Sequence, residues 1–146
     1  MSYLLDTCTL SEYLKKKPND SVISWMSEQN EDALFLSVLT IGEIKKGIVK
    51  IENLHPEKAR LLSQWLKSID ARFTSRILPI DQGVIDVWAT MCGEALKHGQ
   101  KLPVIDSLIA ATCRYHDLSL VTRNIKDFLV MNVTLINPWR EGQDIT

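Results

Sequence analysis

At 146 residues the chain suits one domain, and a domain of this size buries roughly 68–70% of the surface its unfolded form exposes. Its 45% hydrophobic and 24% charged residues fit an ordinary globular core rather than a disordered or fibrous chain, and no run approaches the roughly 20 apolar residues of a membrane helix. A net charge of −1 argues against a protein that coats nucleic acid through bulk positive charge. The opening Met-Ser-Tyr-Leu-Leu-Asp has no basic leader and apolar core, and Cys8, Cys92 and Cys113 form no CxxC pair. A cytoplasmic protein with reduced thiols is the expectation.

The first element is the apolar run Tyr3-Leu4-Leu5, of strand type, which stops at Asp6-Thr7. A helix is expected over 10–17, broken by Pro18-Asn19-Asp20, and a second over 22–29, capped by Asp20 or Ser21. Residues 34–38 make a second buried strand. Thr40 is placed as the cap of a third helix, with Glu43 three residues on as in a capping box, and Ile41, Ile44, Ile48 and Ile51 form its apolar stripe. A fourth helix follows over 56–68, with Pro56 in its first turn. Then come a short strand at 76–80, a helix opened by Asp81 and closed by His98-Gly99, and a helix from Pro103 to about His116. Strands at 118–122 and 133–136 complete the series. Short apolar strands alternating with longer amphipathic helices imply one α/β domain over 1–146, a three-layer α/β/α sandwich with a central parallel sheet.

In such a sheet ligands bind beyond the carboxyl ends of the strands, and Asp6 sits one residue past an apolar strand. An N-cap role explains Asp6 equally well. Asp106 is harder to explain as decoration. It shares a helix stripe with Ile109, Ala110 and Cys113, so it heads a buried face where an uncompensated carboxylate costs several kcal/mol. Glu43 flanks the isoleucine stripe, with Gly47 one turn on suiting either close approach of another chain or tight helix packing. Three acids at one sheet edge repel one another, and a hard divalent cation, Mg2+ or Mn2+, removes the conflict. A water activated there can attack a phosphate while the cation screens the developing charge.

The motifs Leu4-Leu5-Asp6-Thr7, Thr40-Ile41-Gly42-Glu43-Ile44 with Gly47, Pro103-Val104-Ile105-Asp106-Ser107, Leu120-Val121-Thr122-Arg123-Asn124 through Asp127-Phe128, and Ile136-Asn137-Pro138-Trp139 follow one another along the chain. In this order they resemble the PIN-domain nucleases, and among them the VapC-type toxins of toxin–antitoxin pairs. The resemblance implies a magnesium-dependent endoribonuclease with Asp6 and Asp106 as metal ligands. Glu43 would complete the site or position the attacking water, and products would carry a 5′-phosphate and a 3′-hydroxyl. The fourth acidic position of the family is Asn124 here, which puts a second metal in doubt and leaves Asp127, three residues on, as a substitute. That departure keeps a catalytically weak or inactive binding module as the alternative. Thr7 and Thr122 are candidates for orienting ligands or substrate, or simply for ending a strand and capping a turn. Arg123 and Lys46, with Lys15 to Lys17 and Lys50, are candidates for contact with RNA, or solvated surface cations. The implied partners are an RNA substrate, a cognate antitoxin and a second copy in a homodimer, with no membrane. The three histidines are expected on the surface, and Trp25, Trp65, Trp88 and Trp139 as core or interface anchors.

Overall fold

The structure, a computed structural model, describes residues 1–140 and 143–145. Strands β1 (Tyr3–Leu5), β2 (Leu34–Ser37), β3 (Ile77–Leu78), β4 (Ser119–Val121) and β5 (Leu135–Asn137) pair in parallel. A sixth, β6 (Gln143–Ile145), joins β5 antiparallel, so the sheet order is β3-β2-β1-β4-β5-β6. The chain lays β1, β2 and β3 in one direction and then returns to place β4 on the other side of β1. The order therefore reverses between β1 and β4, and the crevice beyond their carboxyl ends is where such sheets bind ligands.

Alternation along the strands builds two core layers. Leu4, Leu120 and Leu135 face Val84, Met91, Ile109 and Ala110 of helices α5 (Gln82–Lys97) and α6 (Val104–His116). Leu5, Val121 and Ile136 face the other way, onto Val22, Trp25 and Met26 of α2 (Asp20–Glu28) and Ile69 and Phe73 of α4 (Pro56–Phe73). Helices on both faces of a mainly parallel sheet give the sandwich the sequence implies.

Several element ends move. Helix α1 begins at Thr7, not at residue 10, because Asp6 caps it by accepting from the Thr9 N–H; it ends at Ser11 and a 3-10 turn, Glu12–Leu14, follows. Asn19, not Asp20 or Ser21, caps α2, its side chain accepting from the N–H of Ser21 and Val22. Helix α3 (Val38–Ile51) starts directly after β2 with Ser37 as its cap, so Thr40 is a buried residue of the first turn and the proposed capping box with Glu43 does not form. A Cβ built on Gly47 would meet nothing within 4 Å, so close packing within the chain does not account for that glycine. His55 and His98 are exposed, whereas His116 is half-buried and its Nε2 has no partner among the described residues.

Helix α4 continues to Phe73, five residues past the expected stop at Ser68, because its end is tied down. Arg76 donates to the carbonyls of Glu31 (2.6 Å), Leu34 (2.7 Å) and Arg72 (2.7 Å) and lies over the Phe73 ring, 4.7 Å from its centroid. Arg72 covers the same ring at 4.9 Å and pairs with Glu31. Replacing Arg76 by alanine leaves three backbone acceptors without this donor. We expect a loss of about 2 kcal/mol in urea denaturation, with little recovery in the lysine variant, whose compact ammonium lacks the planar fork.

Candidate active site

Asp6 leaves β1 with its backbone N–H bonded to the Val121 carbonyl at 3.1 Å, which seats it at the reversal point between β1 and β4. Its Oδ1 accepts from both the N–H and the hydroxyl of Thr9, each at 2.8 Å, and its Oδ2 accepts from the Thr122 hydroxyl at 2.5 Å. The N-cap reading of this residue holds. One carboxylate caps α1 and also lies on the wall of a small pocket of about 110 Å³. Larger hollows exist elsewhere, but this one gathers Asp6, Glu43, Asp106 and Asp127, with Thr7, Cys8, Thr40 and Asn124 and the apolar Ile109 and Phe128.

Each wall has a local reason. Glu43 lies in the second turn of α3, exposed at the rim, because α3 starts at the carboxyl end of β2. Asp106 is half-buried in the first turn of α6, with Ile109, Ala110 and Cys113 of its stripe all buried beneath it. Asn124 and Asp127 come from the short connection after β4, which turns because the Thr122 hydroxyl accepts from the Asn124 N–H at 3.0 Å.

The electrostatics record the crowding. Burial pushes the Asp6 carboxyl above its ordinary range, although Thr122 and Thr9 pull in the opposite direction. Glu43 is raised by burial and then by the charges of Asp106 and Asp6, with Lys46 and the Thr7 hydroxyl partly offsetting them. Asp106 is raised by burial, then by Asp127 and Asp6. The carboxylates sense one another's charge although they stand 63 residues apart between Glu43 and Asp106 and 37 between Asp6 and Glu43 (106 − 43 and 43 − 6).

Residues 3–131 match the PIN domain family. The chain belongs to that family.

This PIN domain is similar to the protein named Toxin FitB of Neisseria gonorrhoeae, 34% identical over 139 residues, 94% of this chain and 99% of that protein. It is also similar to VapC ribonuclease Y4jK of Sinorhizobium fredii, at 28% identity over 93% of this chain and 96% of that one. Among solved structures, FitAcB from Neisseria gonorrhoeae superposes with a TM-score of 0.85 at 34% identity, covering 94% of this chain and 98% of that chain.

In this PIN domain the candidate residues Asp6, Thr7, Glu43, Asp106, Asn124 and Asp127 all line the one pocket. Thr122 lies just behind it, on Asp6. Lys46 is close enough to act on Glu43, and Arg123 on Cys8. Lys15 instead pairs with the buried Glu12 at 3.0 Å, a structural role that competes with contact to RNA. Sequence reasoning missed Thr9, which holds Asp6 through two donors, and the cap-plus-three spacing of Asp6 and Thr9 was the available sign. It also missed Cys8, whose Sγ lies 3.9 Å from Asn124 Nδ2; nothing in a lone cysteine codon position points to that contact.

Proposed function

We propose that this chain is a magnesium-dependent endoribonuclease and the toxin of a toxin–antitoxin pair, acting in the cytoplasm. The observation that carries the reading is the convergence of Asp6, Glu43, Asp106 and Asp127 on one pocket at the point where strand order reverses. Carboxylates held above their usual range by burial and mutual repulsion form a site that a divalent cation relieves, and all-oxygen donors suit magnesium or manganese. Among the described residues no three His, Cys, Asp or Glu side chains close into a ready-made metal cage.

Asp6, fixed by Thr9 and Thr122, and Asp106, fixed by the first turn of α6, are the residues that would hold the cation. When bound, it supplies Lewis acidity to a water and screens charge on the scissile phosphate. Glu43, whose carboxyl is held above its ordinary range by burial and the charges of Asp106 and Asp6, takes the proton from the attacking water. The water oxygen bonds to phosphorus, the bond to the 3′-oxygen breaks, and that oxygen takes up a proton from solvent, so the products are a 5′-phosphate and a 3′-hydroxyl. Asn124 and Asp127 orient water or substrate from the rim, with Thr7 beside them. Lys46 and Arg123 contact the RNA backbone, giving a local and salt-sensitive attraction in a chain of net charge −1.

Solved structures of relatives include FitAB bound to a DNA fragment and a toxin–antitoxin complex from Klebsiella pneumoniae. A cognate antitoxin and a second copy of the chain are the proposed protein partners. Exposed Val104 and Ile105, on the turn that carries Asp106, offer apolar surface for one of them beside the pocket. Asparagine at position 124 favours one rival, a PIN-fold module that binds RNA without turnover.

The deciding assay incubates the purified chain with single-stranded RNA in Mg2+, in EDTA, and in EDTA followed by excess Mg2+. Cleavage with 5′-phosphate ends, lost in EDTA and regained on metal addition, is the expected result. Undiminished cutting in EDTA overturns the mechanism, and binding without cutting in Mg2+ supports the rival.

A further inference from the structure

Arg123 leaves β4 immediately after Thr122, the residue whose hydroxyl holds Asp6. Its guanidinium carbon lies over the Trp139 ring, 5.5 Å from the centroid, within the range of a cation–π contact. The two partners differ in freedom. Trp139 is half-buried and packs on the core layer between the sheet and α2. Its backbone N–H is fixed to Oδ1 of the buried Asn137 at 3.0 Å. Arg123 is exposed. A long exposed arginine would otherwise lose much rotamer freedom on binding, and a rigid ring beneath it restricts that freedom beforehand.

The placement also bears on where the charge is used. The buried carboxylate on this side, Glu12, accepts from the Asn19 N–H at 2.9 Å and pairs with Lys15 at 3.0 Å; its Oε2 makes no hydrogen bond among the described residues, and Arg123 acts on its charge only from a distance, without an ion pair. A cation–π contact leaves guanidinium N–H groups for a bidentate acceptor, a phosphate above all, and the Arg123 side chain makes no hydrogen bond among the described residues. Arg123 acts electrostatically on Cys8, a wall residue of the acidic pocket, while Lys46 acts on Glu43 from α3. A polyanionic strand laid across the pocket therefore meets a cation on the β4 side and another on the α3 side.

We propose that Trp139 is a positioning residue for RNA: its ring holds Arg123 beside the acidic pocket so that the guanidinium clamps a backbone phosphate next to the scissile one. The proposal rests on the ribonuclease reading above and assigns part of substrate binding to a residue outside the pocket.

The test compares wild type, R123Q, R123K, W139F, W139L and R123Q/W139L in steady-state cleavage of single-stranded RNA, with binding measured in Ca2+ and melting temperatures recorded throughout. R123Q is expected to raise KM about tenfold with kcat nearly unchanged, and to flatten the salt dependence of binding by about 0.7 in the log–log slope. W139L should reproduce most of the KM effect, with W139F between it and wild type. R123K, which keeps the charge without the planar fork, should recover only part of the loss. In the R123Q background the W139L change should not add to KM. Additive KM effects, or a fall in kcat and melting temperature without a change in salt slope, would assign Trp139 to the core alone and overturn the proposal. If W139L does not fold, W139F with and without R123Q decides the same question. Wild type that cuts RNA while R123Q matches it in KM removes this proposal only. Wild type that neither cuts nor binds RNA removes the ribonuclease reading with it.

Discussion

Asparagine in place of Asp6 is expected to lower RNA cleavage about a thousandfold while leaving the melting temperature unchanged or higher, since several kcal/mol of charge stabilisation in the transition state would go. The two readouts separate because Asp6 caps α1 and, on the function proposed above, would also hold the cation. Asparagine caps helices as well as aspartate does, so the bond from the Thr9 N–H to Oδ1 survives. The Thr122 hydroxyl, which now donates to Oδ2, can turn to accept from the new amide. Removing a charge that burial already disfavours costs the fold nothing and can stabilise it. Alanine at the same place should lose activity equally but also lose about 1 kcal/mol with the cap. Measured kcat on RNA beside thermal melts of both variants checks this; an asparagine variant keeping a tenth of wild-type activity would remove Asp6 from the metal site.

The second large effect is on stability. Asp6 stands above its ordinary 3.8 through burial alone, and Asp106 above 3.8 and Glu43 above 4.5 through burial first and neighbouring charges second. The folded chain thus keeps protons that the unfolded chain has already released. The contribution of these groups to stability is greatest at low pH and is lost as pH rises from the unfolded values through the raised folded ones. Glu31 behaves oppositely. Its pairing with Arg72 and Arg76 holds it below 4.5, so its contribution is present above that value and is lost as pH falls through the lowered folded value. Magnesium at about 100 times its dissociation constant should stabilise the chain by about 2.7 kcal/mol, roughly 10 °C in melting temperature, at neutral pH. Protons compete with the cation for the same carboxylates, so the rise should shrink toward about pH 5. Scanning calorimetry with and without Mg2+ at both pH values measures it. An equal rise at both, or none in wild type, contradicts a site made of these acids.

Much of this was legible before any coordinates. Apolar runs such as 3–5 and 34–37 are too short for helices, and the alternation of Leu4 and Leu5 between two core layers is the period-two pattern such runs carry. Asp106 could be placed on a buried stripe from its spacing to Ile109, Ala110 and Cys113. Periodicity could not say that Glu43 faces the same pocket, because that depends on which strands are neighbours. Element ends were misread where a side chain far along the chain decides them. Arg76 prolongs α4 by binding the Glu31 and Leu34 carbonyls, and no local pattern near Ser68 announces it. The antiparallel β6 also went unseen: its three residues, Gln143–Ile145, show no apolar run, and its pairing to β5 is set by the sheet edge rather than by its own composition.

The bond between Asp6 and Thr122 spans 116 residues, and β1 lies at the middle of the sheet between β2 and β4. Residues made first during translation must wait for residues made nearly last. A nascent chain on the ribosome that has not yet released β4 cannot assemble the acidic pocket, whatever helices it has formed. Such long-range closure also makes folding slow compared with helical bundles of similar size. The acidic pocket therefore assembles late and all at once, only when nearly the whole chain has been made.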